Sequence, residues 1–420
     1  MNTQEPVLSH QKCRGMRDLL PVDMVRFRRV ESAFRDVCLG YGYGEVKPPT
    51  IEYLQLFTAL GTLTPGMVGR VYSFLDWDGW SGERVVLRPD STIPVARLYV
   101  ENLSPQSPAR LFYVTNSFVF EETGAKNRER WQCGAELIGG APVVADVEII
   151  MLAREVVGRL GLDGIRLQVC HAGLLKALID ELDLTPAARE HLVESVLDGD
   201  WTGLEKAVSS VGEDKRYLPP LLSLKGSSVG YLENIRALSM AAGGEFRAAL
   251  DQFIEVVRLL DEIDCEYEVD ITAVRSFEYY TGICFQMVSD NGEKVGGGGR
   301  YDDLIPMMGG SEETACGFAL YVDQMMSLLQ EVEQDRSHVL VVSGECTAAV
   351  MRESLELARA VRAGGGVAVV ETEVRGEYVS RCGWIARVGA DTVGIVELTN
   401  CKTNEKKACS VAEAIEQIVS

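Results

Sequence analysis

The chain has 420 residues, too many for one ordinary domain and enough for two or three, each able to bury its own core. With 46% hydrophobic and 25% charged residues and no low-complexity tract, it is not a largely disordered protein. A net charge of −21 sets any nucleic-acid-binding function at a disadvantage, because such affinity depends on Lys and Arg displacing counterions.

No uncharged apolar run approaches the roughly 20 residues needed to cross a bilayer, and "MNTQEPVLSHQKCRGMRD" lacks the basic-then-apolar pattern of a signal peptide. A cytoplasmic location is therefore expected. The eleven cysteines are odd in number, scattered and without a C-x-x-C pair, which reads as free thiols in a reducing compartment. The four histidines are far apart, so neither residue type has metal-ligand spacing. No metal and no cofactor is expected.

Along the chain, Asp23 to Gly40 puts Phe27, Val30, Phe34, Val37 and Cys38 at helical spacing, and Gly40 and Gly42 end the helix. "GYGEVKPPTIE" reads as a strand interrupted by Pro48 and Pro49, which favours an edge or an interface. "RVYSFLDW" and "ERVVLRP" read as a strand pair, and "STIPVARLYVEN" as a helix beginning near Ser91 or Thr92. A hairpin follows in "NSFVFEETGAKNRERWQCGAELIGG", then a helix from about Val143 to Leu160.

From about 172 to 262 the texture turns helical, rich in Leu, Ala and Glu, and reads as an inserted module. Strands return in "CEYEVDITAVRS" and "YTGICFQMVSDNGEKVGGGGRYDDL", where Asn291-Gly292 is a two-residue hairpin signal. A helix containing "ACGFALYVDQMMSLLQ" is expected to close this region. The predicted organisation is an α+β core over 1–336, antiparallel sheet flanked by helices, followed by a small α/β domain over 337–420 with strands at "HVLVVSG", "VAVVET" and "DTVGIVE".

Several clusters could carry chemistry. "VGGGGRYDDL" lacks the spacing of either common phosphate loop, and its glycines leave open close approach by a ligand or plain packing. Arg275, Tyr279 and Tyr280 bring a fixed cation and two phenols together, suited to a carboxylate and a heteroaromatic nitrogen. Asp90 and Thr92 add a carboxylate and a hydroxyl. Gln132 and Glu136, four apart in a strand, face the same side. Lys126, Arg128 and Arg130 form a loop suited to an anion.

"RGMRDLLP", "GYGEVKPPTIE", "VLRPDSTIPVAR", "WQCGAELIGG", "VRSFEYYTG", "GGGGRYDDL" and "ACGFAL", in that order, resemble histidyl-tRNA synthetase over nearly the whole chain. The resemblance implies a class II synthetase core with a helical insertion and a C-terminal anticodon-binding-like domain, and a dimer interface at Pro49. It assigns Asp90, Thr92, Gln132, Glu136, Arg275, Tyr279 and Tyr280 to a histidine pocket. The activation machinery departs from the family: Val119 stands where "FRHER" has its first Arg, and Gln324 where "GFAMGLER" ends.

Losing even one such transition-state contact commonly costs about 3–4 kcal/mol, so adenylation should be abolished or vestigial. The C-terminal segment has more acidic than basic residues, against anticodon binding. A chain of this kind resembles the regulatory subunit of ATP phosphoribosyltransferase. That family partners a short-form catalytic subunit in the first step of histidine biosynthesis and confers feedback by L-histidine. The alternatives are a divergent histidyl-tRNA synthetase and a stand-alone histidine-binding paralogue.

Overall fold

A computed structural model describes residues 12–58, 69–76, 82–104, 107–120, 127–197, 200–222, 225–226, 229–240, 242–273, 280–330, 338–344, 347–374, 382–389 and 394–419. The chain divides into two compact units, Met1–Leu329 and Gln330–Ser420.

In the first unit the strands are β1 Gly44–Glu45, β2 Ile51–Tyr53, β3 Ser73–Leu75, β4 Arg84–Leu87, β5 Ala109–Phe118, β6 Glu129–Ile138, β7 Ile165–His171, β8 Lys225–Gly226, β9 Glu268–Asp270, β10 Ile283–Ser289, β11 Lys294–Arg300 and β12 Ala315–Tyr321. Nine of them form one sheet in the order β1-β5-β6-β12-β11-β10-β7-β9-β8, and β2-β4-β3 form a smaller one. From β5 to β7 every pairing in the large sheet is antiparallel; β1 with β5 and β7 with β9 are parallel. With helices on it, the architecture is α+β.

Alternation gives the large sheet two faces. Phe112, Ala135 and Phe318 are register partners on one of them. There Phe34, from the helix Pro21–Gly40, meets Phe112 and Phe318 edge-on at 5.8 and 6.3 Å. Truncating a fully buried aromatic of this kind costs about 3–5 kcal/mol. The helix Pro142–Arg159 joins the same core through Ile149, Ile150 and Ala153. On the opposite face lie Tyr113, Gly134, Glu136 and Gly317, and that face carries the polar groups discussed below.

Pro48 and Pro49 fall between β1 and β2, and both carbonyls accept hydrogen bonds from Arg88 Nη1, at 2.9 and 2.7 Å. Arg88 also donates to the Asn116 carbonyl and side chain, which satisfies a buried guanidinium and ties the small sheet to β5. Among the described residues the segment between β7 and β9 is mostly helical, with the short strand β8, and buried side chains of its helices Ala172–Asp180 and Gly244–Glu262 belong to the same hydrophobic core as the sheet.

One expectation is corrected. "ACGFALY" is not helical: it is β12, between β6 and β11, and only Val322–Leu328 forms a helix. Short apolar runs buried on both faces have no period to distinguish strand from helix. Likewise the described part of "CEYEVDITAVRS", residues 265–273, supplies the three-residue β9 and a 3₁₀ turn at Ile271–Ala273.

The second unit holds β13 His338–Ser343, β14 Val367–Glu371, β15 Trp384–Val388, β16 Ile395–Asn400 and β17 Lys406–Ser410, in the order β14-β13-β15-β16-β17. β13 runs parallel to β14 and β15, and β15-β16-β17 is an antiparallel meander. The helix Ala348–Ala363 packs Leu357, Ala358 and Val361 on Val339, Val341 and Ala386. Among the described residues no helix is long and apolar enough to cross a membrane, and no His, Cys, Asp or Glu cluster could hold a metal. The described cysteines are all reduced.

Candidate functional site

Glu136 is the centre of the polar face. It is 1% exposed, and each carboxylate oxygen accepts from a tyrosine: Tyr113 donates to Oε1 at 3.0 Å, and the Tyr301 hydroxyl donates to Oε2. The backbone makes room for this arrangement. A Cβ on Gly317 would lie 1.7 Å from Glu136 Oε2, and one on Gly134 would lie 2.2 Å from the Tyr113 ring. These two positions require glycine because side chains lie flat across neighbouring strands.

Tyr301 is held by its own neighbours. Its backbone N–H donates to Ala315, and the adjoining Arg300, 1% exposed, pairs with Asp146 at 2.7 Å and Asp302 at 2.9 Å. Asp302 in turn accepts from the Ala315 N–H. Burial opposes the Arg300 charge, yet the attraction of Asp146 prevails and raises its pKa.

Burial pushes the Glu136 carboxyl up to about 8, against the pull of Tyr301, Thr92 and Tyr113, and the like charge of Asp90 adds to the rise. Asp90 keeps some accessible surface, but its carboxyl lies deep enough that burial raises it too. Its Oδ1 accepts from the Ile93 N–H at 3.0 Å, capping the helix Thr92–Asn102, while Ser91 meets Thr115 on β5 at 2.8 Å. Thr92 lies 3.5 Å from the Tyr113 hydroxyl. A buried carboxyl whose charge is further disfavoured by a second carboxyl nearby suits a cationic ligand, such as an ammonium or a protonated ring.

Gln132 shares the Glu136 face by alternation, and its Oε1 is buried without a hydrogen-bond partner. Such an orphaned acceptor suits an N–H donor from a ligand. Tyr280 lies over β11, where a Cβ on Gly299 would come within 3.0 Å of its ring, and burial raises its hydroxyl well above the ordinary value. Part of the glycine run in "VGGGGRYDDL" thus accommodates packing at the site. Asp90, Thr92, Gln132, Glu136 and Tyr280 are described; Arg275, Tyr279 and Lys126 lie outside the described residues.

The remaining cations sit differently. Arg128 stacks its guanidinium 4.6 Å from the Phe120 ring centroid, and its N–H donates to Gly15. Arg130 opposes Ser117 on the Gln132 face. Val119 donates its N–H to the Arg128 carbonyl, and Gln324 lies in the helix Val322–Leu328 beside Asp323, which pairs with Arg17. A separate cleft of about 670 Å³, lined by Glu52, Tyr53, Leu56, Arg97, Val100 and Met308 among others, includes none of the Glu136 cluster.

Tyr113 and Tyr301 were not legible as site residues. Each meets Glu136 only through folding, across 23 and 165 positions, and the one available signal was that Tyr301 ends the glycine run.

A helix-backed antiparallel sheet with this buried acidic, tyrosine-clasped cluster on its other face defines a class II aminoacyl-tRNA synthetase-like chain. The family model described as histidyl-tRNA synthetase matches residues 15–325. The histidine–tRNA ligase of Methanocaldococcus jannaschii is 31% identical over 382 residues, 89% of this chain and 88% of that one. The ATP phosphoribosyltransferase regulatory subunit of Dehalococcoides mccartyi is 43% identical over 401 residues, 94% of this chain and 96% of that one. A solved structure from Bacillus halodurans, described as an ATP phosphoribosyltransferase regulatory subunit/histidyl-tRNA synthetase, aligns with TM-score 0.79 at 26% identity, covering 92% of this chain and 100% of that one. The chain belongs to the ATP phosphoribosyltransferase regulatory subunit family, within the histidyl-tRNA synthetase-like fold.

Proposed function

We propose that the chain is a non-catalytic, histidine-responsive subunit acting with a separate short-form ATP phosphoribosyltransferase catalytic subunit in the cytoplasm, needed both for the first step of histidine biosynthesis and for its feedback inhibition. The observation that carries the reading is the contrast between the Glu136 cluster and Val119: a buried acidic pocket remains, while an apolar side chain occupies the position of the family's phosphate-binding Arg. Gln324 stands in the same relation to the second such Arg.

In this reading Asp90, Thr92 and Gln132 take the ligand's ammonium, Arg275 its carboxylate, and Glu136, Tyr279 and Tyr280 its two ring nitrogens. The orphaned Gln132 Oε1 and the Asp90 carboxyl support the ammonium end, and the buried Glu136 carboxyl supports the ring. Lys126, Arg128 and Arg130 are assigned to an anion, and no metal or cofactor is required. A homodimer built near Pro49 accounts for Ile51, Tyr53 and Phe74, an apolar row on one face of the small sheet that is 43–54% exposed.

The test is co-expression with the short catalytic subunit, followed by affinity capture and an assay of ATP–phosphoribosyl pyrophosphate condensation with and without histidine. The expected result is a stable complex whose activity needs this chain and falls with histidine, with no histidine-dependent ATP–pyrophosphate exchange by this chain alone. Robust exchange, or charging of histidine tRNA, would establish a synthetase instead.

A further inference from the structure

We propose that Cys382 and Cys401 form an oxidisable dithiol, a modification site at the open end of the β15–β16 hairpin. Their sulfurs lie 3.7 Å apart, with the Cys401 thiol directed at Cys382. The pairing of the two strands brings them there: Trp384 opposes Asn400, and just beyond that pair the Cys401 N–H donates to the Gly383 carbonyl at 2.8 Å. Gly383 thus faces Cys401, and Cys382 is its diagonal neighbour, with its sulfur turned toward Cys401. Side-chain rotation then has only to close 3.7 Å to the ~2.05 Å of an S–S bond.

Both ends are fixed by backbone contacts. The Gly383 N–H donates to His338 on β13. After Cys401, the Asn400 side chain accepts from the N–H groups of Lys402 and Thr403, and Asn404 turns the chain at φ 59° toward β17. Both cysteines pack beside Val369 and Val374 on the apolar group Leu340, Val342 and Ile385, yet each keeps partial exposure. Cys170 and Cys284 also oppose each other, across β7 and β10, but both are buried, beyond the reach of a soluble oxidant.

The chemistry is thiol–disulfide exchange with a low-molecular-weight disulfide. One thiol of the pair, deprotonated, attacks a sulfur of the oxidant, forms a mixed disulfide and expels the first small thiolate. The second cysteine, after losing its proton, attacks the protein sulfur of that mixed disulfide and expels the other. Two thiols of the protein become one disulfide, and the oxidant is reduced to two thiols that take up the two protons. The product joins the chain entering β15 to the end of β16 and locks the cover over Leu340, Val342 and Ile385.

The test treats the full-length protein with glutathione disulfide, quenches with acid, alkylates with N-ethylmaleimide and maps peptides by mass spectrometry. The expected product has Cys382 and Cys401 both unalkylated and joined in one cross-linked peptide pair, whatever adduct the exposed Cys13 carries. Cys382→Ser and Cys401→Ser are each expected to stop at a glutathione adduct on the remaining thiol. Because the linkage is read on the unaltered protein, a variant that fails to fold leaves the result intact. Full alkylation of both residues, separate stable glutathione adducts on each, or linkage of either to a different cysteine would overturn the proposal.

Discussion

Glu136 is where a single side chain sets a property of the whole unit. With its carboxyl pushed up to about 8, the native state retains a proton that the unfolded chain, near its ordinary value of 4.5, has already released. In that interval the native state binds more protons than the unfolded one, so this residue's contribution to stability falls as pH rises from about 4.5 to 8. Glu136→Gln keeps the size and one tyrosine acceptor but cannot ionise. Its stability relative to the native protein should therefore increase with pH across that interval, by a few kcal/mol in order of magnitude. Urea unfolding of both proteins at pH 5, 6.5 and 8 checks this; parallel curves would mean that Glu136 is ionised throughout. The same substitution should weaken histidine binding, read by calorimetry, if the ring faces this carboxyl as proposed.

At the scale of elements, β12 explains both what could be read in advance and what could not. The Pro21–Gly40 helix and the β5–β6 hairpin rest on local patterns of period, and local patterns survive in a sequence. Asn291-Gly292 does sit in a turn, but Ser289 pairs with Glu293 and leaves a three-residue loop in place of the expected two-residue one, with Gly292 at φ 83°. β12 rests on no local pattern: "ACGFALY" is apolar on both sides because β6 and β11 flank it and both sheet faces are covered, information held in partners elsewhere in the chain. The site divides in the same way. Gln132 and Glu136 could be aligned from strand alternation alone, whereas the Tyr113 and Tyr301 hydroxyls reach Glu136 only through tertiary pairing. Gly317 tests this account, since its missing side chain is what admits the Glu136 carboxylate. Gly317→Ala should cost at least about 2 kcal/mol through overpacking in a strand that cannot yield. Gly158→Ala, at a helical position with nothing within 4 Å, should be neutral or slightly stabilising. Equal unfolding midpoints for the two variants would remove the steric argument.

At the scale of the molecule, charge separates this chain from the tRNA-charging work its fold suggests. A net charge of −21 opposes the approach of a polyanion, and over 337–420 acidic residues still outnumber basic ones. Non-specific affinities for nucleic acid commonly lie near 10⁻⁴–10⁻⁶ M at physiological salt and rest on Lys and Arg contacts to phosphates. With acidic residues in excess, binding of histidine tRNA should fall at or beyond the weak end of that range, with a dissociation constant above about 10⁻⁵ M. Filter binding or fluorescence anisotropy at 150 mM salt would measure it, with a second titration at lower salt to expose any electrostatic component. A submicromolar constant that weakens steeply with salt would mean that a local basic surface overrides the net charge. Absence of binding at both salt concentrations would agree with the proposed regulatory role, which needs no tRNA recognition.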